Sequence, residues 1–402
     1  MSKIKLTGNA SGTGVLTVTA PNTSTDRTIT LPDSTDTLIG AATTDALTTR
    51  INATGGRKNL IINGAMQVAQ RGTSFSVTTT SIQLVDRFKT KQGSAFNLET
   101  TITQSTDVPS GEGFSHSLQI DSDAVETLSG SENGGISYDI EGIDTQQLGY
   151  GNSNAKDLTL SFWVKSNKTG TYSLQVQSLP STGDGKYTLY AYTVTSSWTK
   201  ITISIPKNTV QATANDTNAR VRLFWWLVTG PSDTSSATTT WTANPSPTYK
   251  GVTGQVNFMD STSNTFNITG VQLELGSIAT DFEHRHYGEE LALCQRYYNC
   301  IADGSSGILG LGVIRNTTQS TVLKYHPVEM RTNPTLVEHD TSNIYRQNGV
   351  TNTNSDGTAP SLDQGNEQCT SFNCNGFSGL TNGQVTTTKI TSGGKLGLDA
   401  EL

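Results

Sequence analysis

The chain has 402 residues, of which 33% are apolar and 15% charged, and carries a net charge of −7 at pH 7. So few charges do not make the charge-rich signature of disorder, and the acidic balance excludes a protein that wraps nucleic acid with a basic stripe. No apolar run approaches the ~18 residues of a membrane-spanning helix, so no membrane insertion is expected.

The length allows two or three domains. The polarity comes from Thr, Ser, Asn and Gln rather than from charge, and Thr with Gly and Asn suits pleated strands and tight turns. A mainly β protein with solvated sheet faces is the expectation. The opening "MSKIKLTGNASG" has no apolar h-region. Synthesis in a cytoplasm without a secretory signal is therefore expected.

Residues 1–40 form the first unit. "GVLTVTA" and "RTITLP" alternate with period 2, and "PNTSTD" between them reads as a hairpin connection. So small a unit, with few large apolar side chains, cannot bury an adequate core alone, and it is expected to fold against sister subunits or another protein. Residues 41–58, "AATTDALTTRINATGGRK", read as a linker or a short helix.

From 59 to 283 the pattern is strand and turn. In "LTLSFWVK" Leu158, Leu160, Phe162 and Val164 share one face, and Thr159, Ser161, Trp163 and Lys165 share the other. Tyr172, Leu174 and Val176 align likewise, as do Ile201, Ile203 and Ile205. "VRLFWWLV" is apolar on both faces and suits a central strand, and "GVQLELG" closes the set with Gln272 and Glu274 outward. Short strands at turn-punctuated intervals predict a central jelly-roll β-sandwich.

Residues 284–300 are expected to form one amphipathic connecting helix, with Leu291, Cys294 and Tyr298 on one face and Glu289 and Glu290 in the first turn. Residues 301–402 return to glycine-rich, strand-like sequence and make a C-terminal β-domain. Neither Cys294/Cys300 nor Cys369/Cys374 has C-x-x-C spacing. Reduced thiols are expected, with Cys369–Cys374 as the alternative disulfide.

The same strands carry a resemblance. "NLIINGAMQVAQRGTS" followed by "DRF" resembles the opening of a domain found in bacteriophage tail-fibre and tail-tip proteins. "LTLSFWVKSNKTGTYSLQV", "WTKITISI" and "GVQLELGSIATDFEHR" resemble successive strands of its sandwich, which is similar to carbohydrate-binding modules. "YGEELALCQRYY" and "HPVEMRTNPTL" resemble the helix and small β-domain that follow, and the N-terminal segment is similar to pieces of marine-phage fibre proteins. The resemblance implies a virion structural protein, a tail fibre forming a homotrimer. Residues 1–40 would attach to another tail or adaptor protein, and the remainder would meet a host-surface glycan. A head or collar fibre, a structural tail connector and a polysaccharide-degrading spike are the alternatives.

Catalysis has little support in the motifs. "GSSG" at 304–307 and "GFSG" at 376–379 miss the G-x-S-x-G elbow, and "GDGKY" lacks the rest of a phosphate loop. A protein that is not an enzyme and needs no cofactor is expected. Sugar contact relies on aromatic faces with amides nearby, which makes Trp163, Trp226, Trp241 and Tyr249 the glycan-binding candidates. His284 and His286 are the metal candidates, since residues two apart on a strand point the same way. Packing beside the sandwich edge is the alternative for the pair, and His286 departs from the family pattern. "NTNSDGTAPSLD" fits a calcium loop poorly, with Asn first and two carboxylates, and reads as a polar turn.

Overall fold

The computed structural model describes residues 58–402 except 79–80, 94–95, 244–248, 306, 341–345, 349–351, 355–359 and 391–392. The expected N-terminal β unit at 1–40 and the linker at 41–58, save its last residue, lie outside the described residues, as does the centre of the polar turn at 352–363.

The chain is mainly β. Strands β1 Ser74–Val77, β2 Phe88–Gln92, β3 Thr100–Ser105, β4 Ser117–Ser122 and β5 Asn133–Glu141 open a sandwich. Next come β6 Leu158–Ser166, β7 Gly170–Ser178, β8 Lys186–Val194, β9 Thr199–Ile205 and β10 Ala219–Thr229. Strands β11 Thr234–Ser235, β12 Thr238–Ala243, β13 Gly251–Val252 and β14 Thr265–Leu275 complete it. One six-stranded sheet runs β1-β3-β4-β14-β6-β9, and the other runs β12-β8-β7-β10-β5-β2.

The alternation explains which faces meet. Leu158, Leu160, Phe162 and Val164 are buried from the first sheet, and Tyr172, Leu174, Val176, Leu223 and Trp225 from the second. Trp225 meets Phe162 edge to face at 5.8 Å across the layer, a geometry that suits the ring quadrupoles. As its two-sided apolar pattern predicts, β10 is central, flanked by β5 and β7.

The outer faces depart from a simple polar-out pattern. Gln272 and Glu274 point outward yet are buried, because the segment after β14 folds back over them. Thr280 donates to Glu274 from its backbone N–H (2.8 Å) and hydroxyl (2.6 Å), and the Glu283 N–H donates to the Gln272 amide oxygen (2.8 Å). The second sheet is covered likewise by residues 249–256. The Val252 N–H donates to Ser173 Oγ, Gln175 to the Tyr249 carbonyl and Gln255 to the Trp226 carbonyl.

Besides the single turn α1 Gly142–Thr145, the connecting helix is α2 Tyr287–Gln295. It is shorter than 284–300. The Tyr297 N–H closes the last turn on Cys294 at 2.9 Å, and Tyr298 begins β15 (Tyr298–Asp303) instead of extending the helix face. Tyr298 pairs in register with Asp399 of β24 (Lys395–Asp399), and its carbonyl accepts from Gln70 Nε2 at 2.7 Å. Glu290 is also not a solvated helix-start carboxylate. It is buried, accepts from the Asn63 N–H and pairs with Arg285 at 3.3 Å.

Between them lie β16 Gly307–Ile314, β17 Ser320–Tyr325, β18 Thr335–Asp340, β19 Arg346–Asn348, β20 Asn352–Asn354, β21 Ser361–Gly365, β22 Cys369–Cys374 and β23 Val385–Ile390. They form a three-stranded sheet β15-β24-β18 and a seven-stranded sheet β20-β19-β23-β16-β17-β22-β21. A separate core of Leu309, Ile314, Val322, Phe372 and Leu396 lies within them. All four cysteines are free. Cys369 and Cys374 sit at opposite ends of β22, about 16 Å apart at the strand rise, beyond the ~7 Å limit for a disulfide.

The C-terminal sheets and the sandwich fall within one compact unit, Gly55–Leu402, and charge clasps them together. Glu401, its side chain 5% exposed, receives Arg71 at 3.4 Å and a shorter contact from Arg87. Arg71 also pairs with Asp399 at 3.1 Å, and Arg87 donates to the Asp139 carbonyl at 2.6 Å. The guanidiniums stack on aromatic rings, Arg71 at 3.8 Å from the Tyr298 centroid and Arg87 at 3.4 Å from that of Tyr297. Arg87 takes φ = 73°, a left-handed backbone that costs about 1–3 kcal/mol and is held by these bonds. Burial alone would raise the Glu401 carboxyl, but Arg87 and Arg71 outweigh it and hold it below its ordinary value.

Breaking the clasp leaves buried charge uncompensated, which costs about 3–5 kcal/mol, and E401Q is expected to lose that order of stability in denaturant unfolding at neutral pH. Because the folded pKa lies below the unfolded one, this contribution is present above about pH 4.5, the ordinary glutamate value, and disappears as pH falls through the folded value. The stability gap between wild type and E401Q should therefore close on acidification.

Candidate functional site

The aromatic candidates fall in different places. Trp226 is 2% exposed, stacked flat on Phe224 at 5.2 Å and 9° on the covered outer face of the second sheet, so it presents no ring face to a ligand. Trp241 lies on β12 rather than in a loop. Its Nε1–H is spent on the Pro206 carbonyl at 2.6 Å, and its ring packs edge to face with Tyr150 at 5.8 Å. Tyr249 is half-buried in the cover of the second sheet. Trp163 is different, half-exposed on the outer face of the first sheet.

Around Trp163 the structure assembles a group that the sequence reading had only in part. Trp163 pairs in register with Lys200 on β9 and with Thr269 on β14. Continuing the outward register of β9 back from Lys200 by two residues brings Trp198 onto the same face. Its Nε1–H donates to Asp107 Oδ1 at 3.0 Å. Lys165 pairs with the other Asp107 oxygen and lies 5.5 Å from the Trp198 ring centroid. Slight burial pulls the Asp107 carboxyl up, but the hydrogen bonds from Lys165 and Trp198 outweigh it and hold it below the usual range. It therefore remains an ionised acceptor at neutral pH.

Gly270 makes the close approach possible. It takes φ = 62°, and a Cβ there would stand 2.6 Å from Phe114 Cζ and 3.0 Å from Trp163 Cδ1. An isolated glycine inside a strand pattern is a recognised sign of such an approach. Trp198 was legible too, since Ile201, Ile203 and Ile205 set the parity that turns it outward. The half-exposed indoles, the carboxylate and the ammonium make a surface that stacks on apolar faces and exchanges hydrogen bonds with hydroxyls.

His284 packs against this group from the side. Its ring lies 4.9 Å from Phe282 and 5.2 Å from Phe114, and Nε2 is 3.2 Å from the Glu112 carbonyl. His286 is the N-cap of α2 and makes no side-chain cap bond. Among the described residues no group of three or more His, Cys, Asp or Glu comes together that could hold a metal. The pair therefore lacks further ligands within the described chain.

Two other surfaces stand out. A cleft of about 650 Å³ lies where the sandwich meets β15, β16 and α2, with Gln67, Gln104, Gln295 and Tyr287 in its lining. Cys300 also lines it, but burial pushes its thiol up to about 11, which leaves it protonated and weakly nucleophilic. On the seven-stranded sheet, Leu311, Tyr325 and Val385 are 67–72% exposed, with Val313 and Leu323 also exposed. Leu311, Val313, Leu323 and Val385 line one apolar groove, an unusual amount of apolar surface for a chain so polar.

No protein-family model matches the chain, and no curated protein matches it. Among solved structures it is similar to the enzymatically active domain of a tailspike protein from bacteriophage CBA120. That match has 13% identity and a TM-score of 0.29 over 54% of this chain, and it spans only 21% of the tailspike chain. A family 11 carbohydrate-binding module of a Clostridium thermocellum cellulase matches at 15% identity and a TM-score of 0.25, over 53% of this chain and 98% of the module. A xylan-binding domain from Paenibacillus barcinonensis matches at 11% identity and a TM-score of 0.28, over 56% of this chain and all (100%) of the domain.

The packing of His284 predicts how it answers to metal. A resident ion would stabilise the fold by mass action, whereas zinc titration of the full chain is expected to leave the unfolding midpoint unchanged. H284A is expected to lower stability by about 1 kcal/mol through the lost ring contacts, and a zinc-dependent rise abolished by H284A would contradict this reading.

Proposed function

We propose that this chain is a non-enzymatic virion protein of the tail-fibre kind, which recognises a host-surface glycan through the outer face of its first sandwich sheet. The observation that carries the glycan reading is the placement of half-exposed Trp163 and Trp198 on one sheet face, with the Asp107–Lys165 ion pair beside Trp198. Sugar rings present apolar C–H faces to indoles and hydroxyls to a charged donor–acceptor pair, so one surface serves both halves of the ligand. The virion reading draws on the sequence resemblance to phage fibre proteins, which also assigns residues 1–40 to attachment on another tail protein.

Self-association as a homotrimer is part of this proposal. The exposed Leu311, Val313, Leu323 and Val385 offer an apolar sheet face, and Arg315 pairs with Asp363 at 3.2 Å, neutralising charge beside it. Burying that face between copies would remove apolar area from water at about 25 cal/mol per Å². Three weak sugar contacts per fibre would then act together.

Glycan-array binding by the full chain is expected to fall about tenfold in W198A or W163A, equivalent to ~1.4 kcal/mol, with no release of reducing ends from any bound glycan. An array on which the wild type binds nothing overturns the glycan reading, and released reducing ends overturn the non-enzymatic one. Native mass measurement at micromolar concentration is expected to return a trimer that L311E/V385E converts to monomer. A monomeric wild type would sink the trimer.

A further inference from the structure

The cleft between the sandwich and the C-terminal sheets is a separate place from the tryptophan face, and its chemistry is specific. Its polar lining is chiefly amide. No hydrogen bond occupies the side chain of Gln67 or Gln295 among the described residues, while Gln104 donates to the carbonyls of Met66 (2.6 Å) and Gln67 (3.2 Å) and keeps its Oε1 open. The apolar part includes Leu291, Ile301, Ile308, Leu309 and Ile390, with the ring of Tyr287, 57% exposed, also in the lining. No lysine or arginine lines the cleft among the described residues, and Asp303 is its one carboxylate.

This combination selects among ligands. An anion finds no cation, and a cation finds one carboxylate already engaged by the Ser305 N–H at 2.9 Å. A purely apolar ligand would cover the Gln67 and Gln295 amides and Gln104 Oε1 without pairing them, at about 1–3 kcal/mol for each group. An extended peptide would need the free edge of β15, yet Gln70 already takes the Tyr298 carbonyl (2.7 Å) and the Cys300 N–H (3.3 Å) on that strand. A neutral polyhydroxylated ring answers every feature. Its hydroxyls both give and accept hydrogen bonds, as amides do, and its C–H face suits tyrosine, leucine and isoleucine.

The cleft is also rigid before any ligand arrives. Gln70 is fixed by its backbone N–H and Nε2 on Asp86 (2.7 and 2.6 Å) as well as by the β15 contacts. Its walls come from two sheets systems clasped by Glu401, and preformed clefts of about 300–1,000 Å³ at such junctions are where small ligands bind. We infer that this cleft is a second carbohydrate subsite, taking one neutral sugar residue. The inference rests on the glycan reading for its ligand class but uses none of the residues of the tryptophan face.

Saturation-transfer NMR on the full chain with the methyl glycosides of glucose, galactose, mannose and N-acetylglucosamine tests it. The variants are the face double W163A/W198A, the cleft variant Y287A, and S305W, which fills the cleft from an exposed position. Thermal unfolding of each confirms that it is folded. The expected result is a signal that survives W163A/W198A and drops about tenfold in Y287A and S305W. A signal that is lost in W163A/W198A and survives S305W overturns the cleft while leaving the tryptophan face standing. A wild type silent with all four glycosides, yet positive on the glycan array, likewise overturns the cleft alone.

Discussion

The structure depends on a single buried charge arrangement. Glu401 lies between Arg71 and Arg87, and each guanidinium is backed by a tyrosine ring from the junction of α2 and β15. Buried ion pairs of this kind are weak evidence for net stability, because desolvation offsets much of the attraction. Their strength is in what they forbid. With either arginine unpaired the interior holds an uncompensated charge, so the sandwich, the helix and the C-terminal sheets must dock in one way. The cleft lined by Gln67, Gln104 and Ile308 follows from that docking.

A second constraint is how the sandwich treats its own faces. Part of each outer face is covered by the chain itself, the second by residues 249–256 and the first by residues 280–283. Burying the backbone carbonyls and amides of these covers demands partners, which Gln175, Ser173, Gln272 and Glu274 supply. Trp163 and Trp198 lie on the part of the first sheet that these segments leave half-exposed.

Much of the sandwich was legible because period-2 alternation reports directly on burial. Leu158 to Val164, Tyr172 to Val176 and the two-sided β10 were all readable from spacing. The site was legible in pieces. Trp163 was found by parity, whereas Trp198 sat in a turn and needed the register of β9 extended back past Lys200. Trp226 misled because spacing tells which side of a strand a ring is on, not whether another segment lies over it. The helix end failed for a related reason, since Cys294 and Tyr298 fit a helical face but long-range pairing with β24 claims Tyr298. The Glu401 clasp had no local signal, as its partners are 330 and 314 residues away.

That separation bears on the order in which the molecule can be made. Contacts across so much chain form late, after the loop-closure entropy of everything between has been overcome. A nascent sandwich can collapse around Leu160, Leu174 and Trp225, but its two arginines wait for residue 401. Until then Arg71 and Arg87 have, among the described residues, only Asp86 and Asp139 as nearby carboxylates. The sandwich can thus be formed before its junction with the C-terminal sheets is closed, and the closing contact is electrostatic rather than apolar.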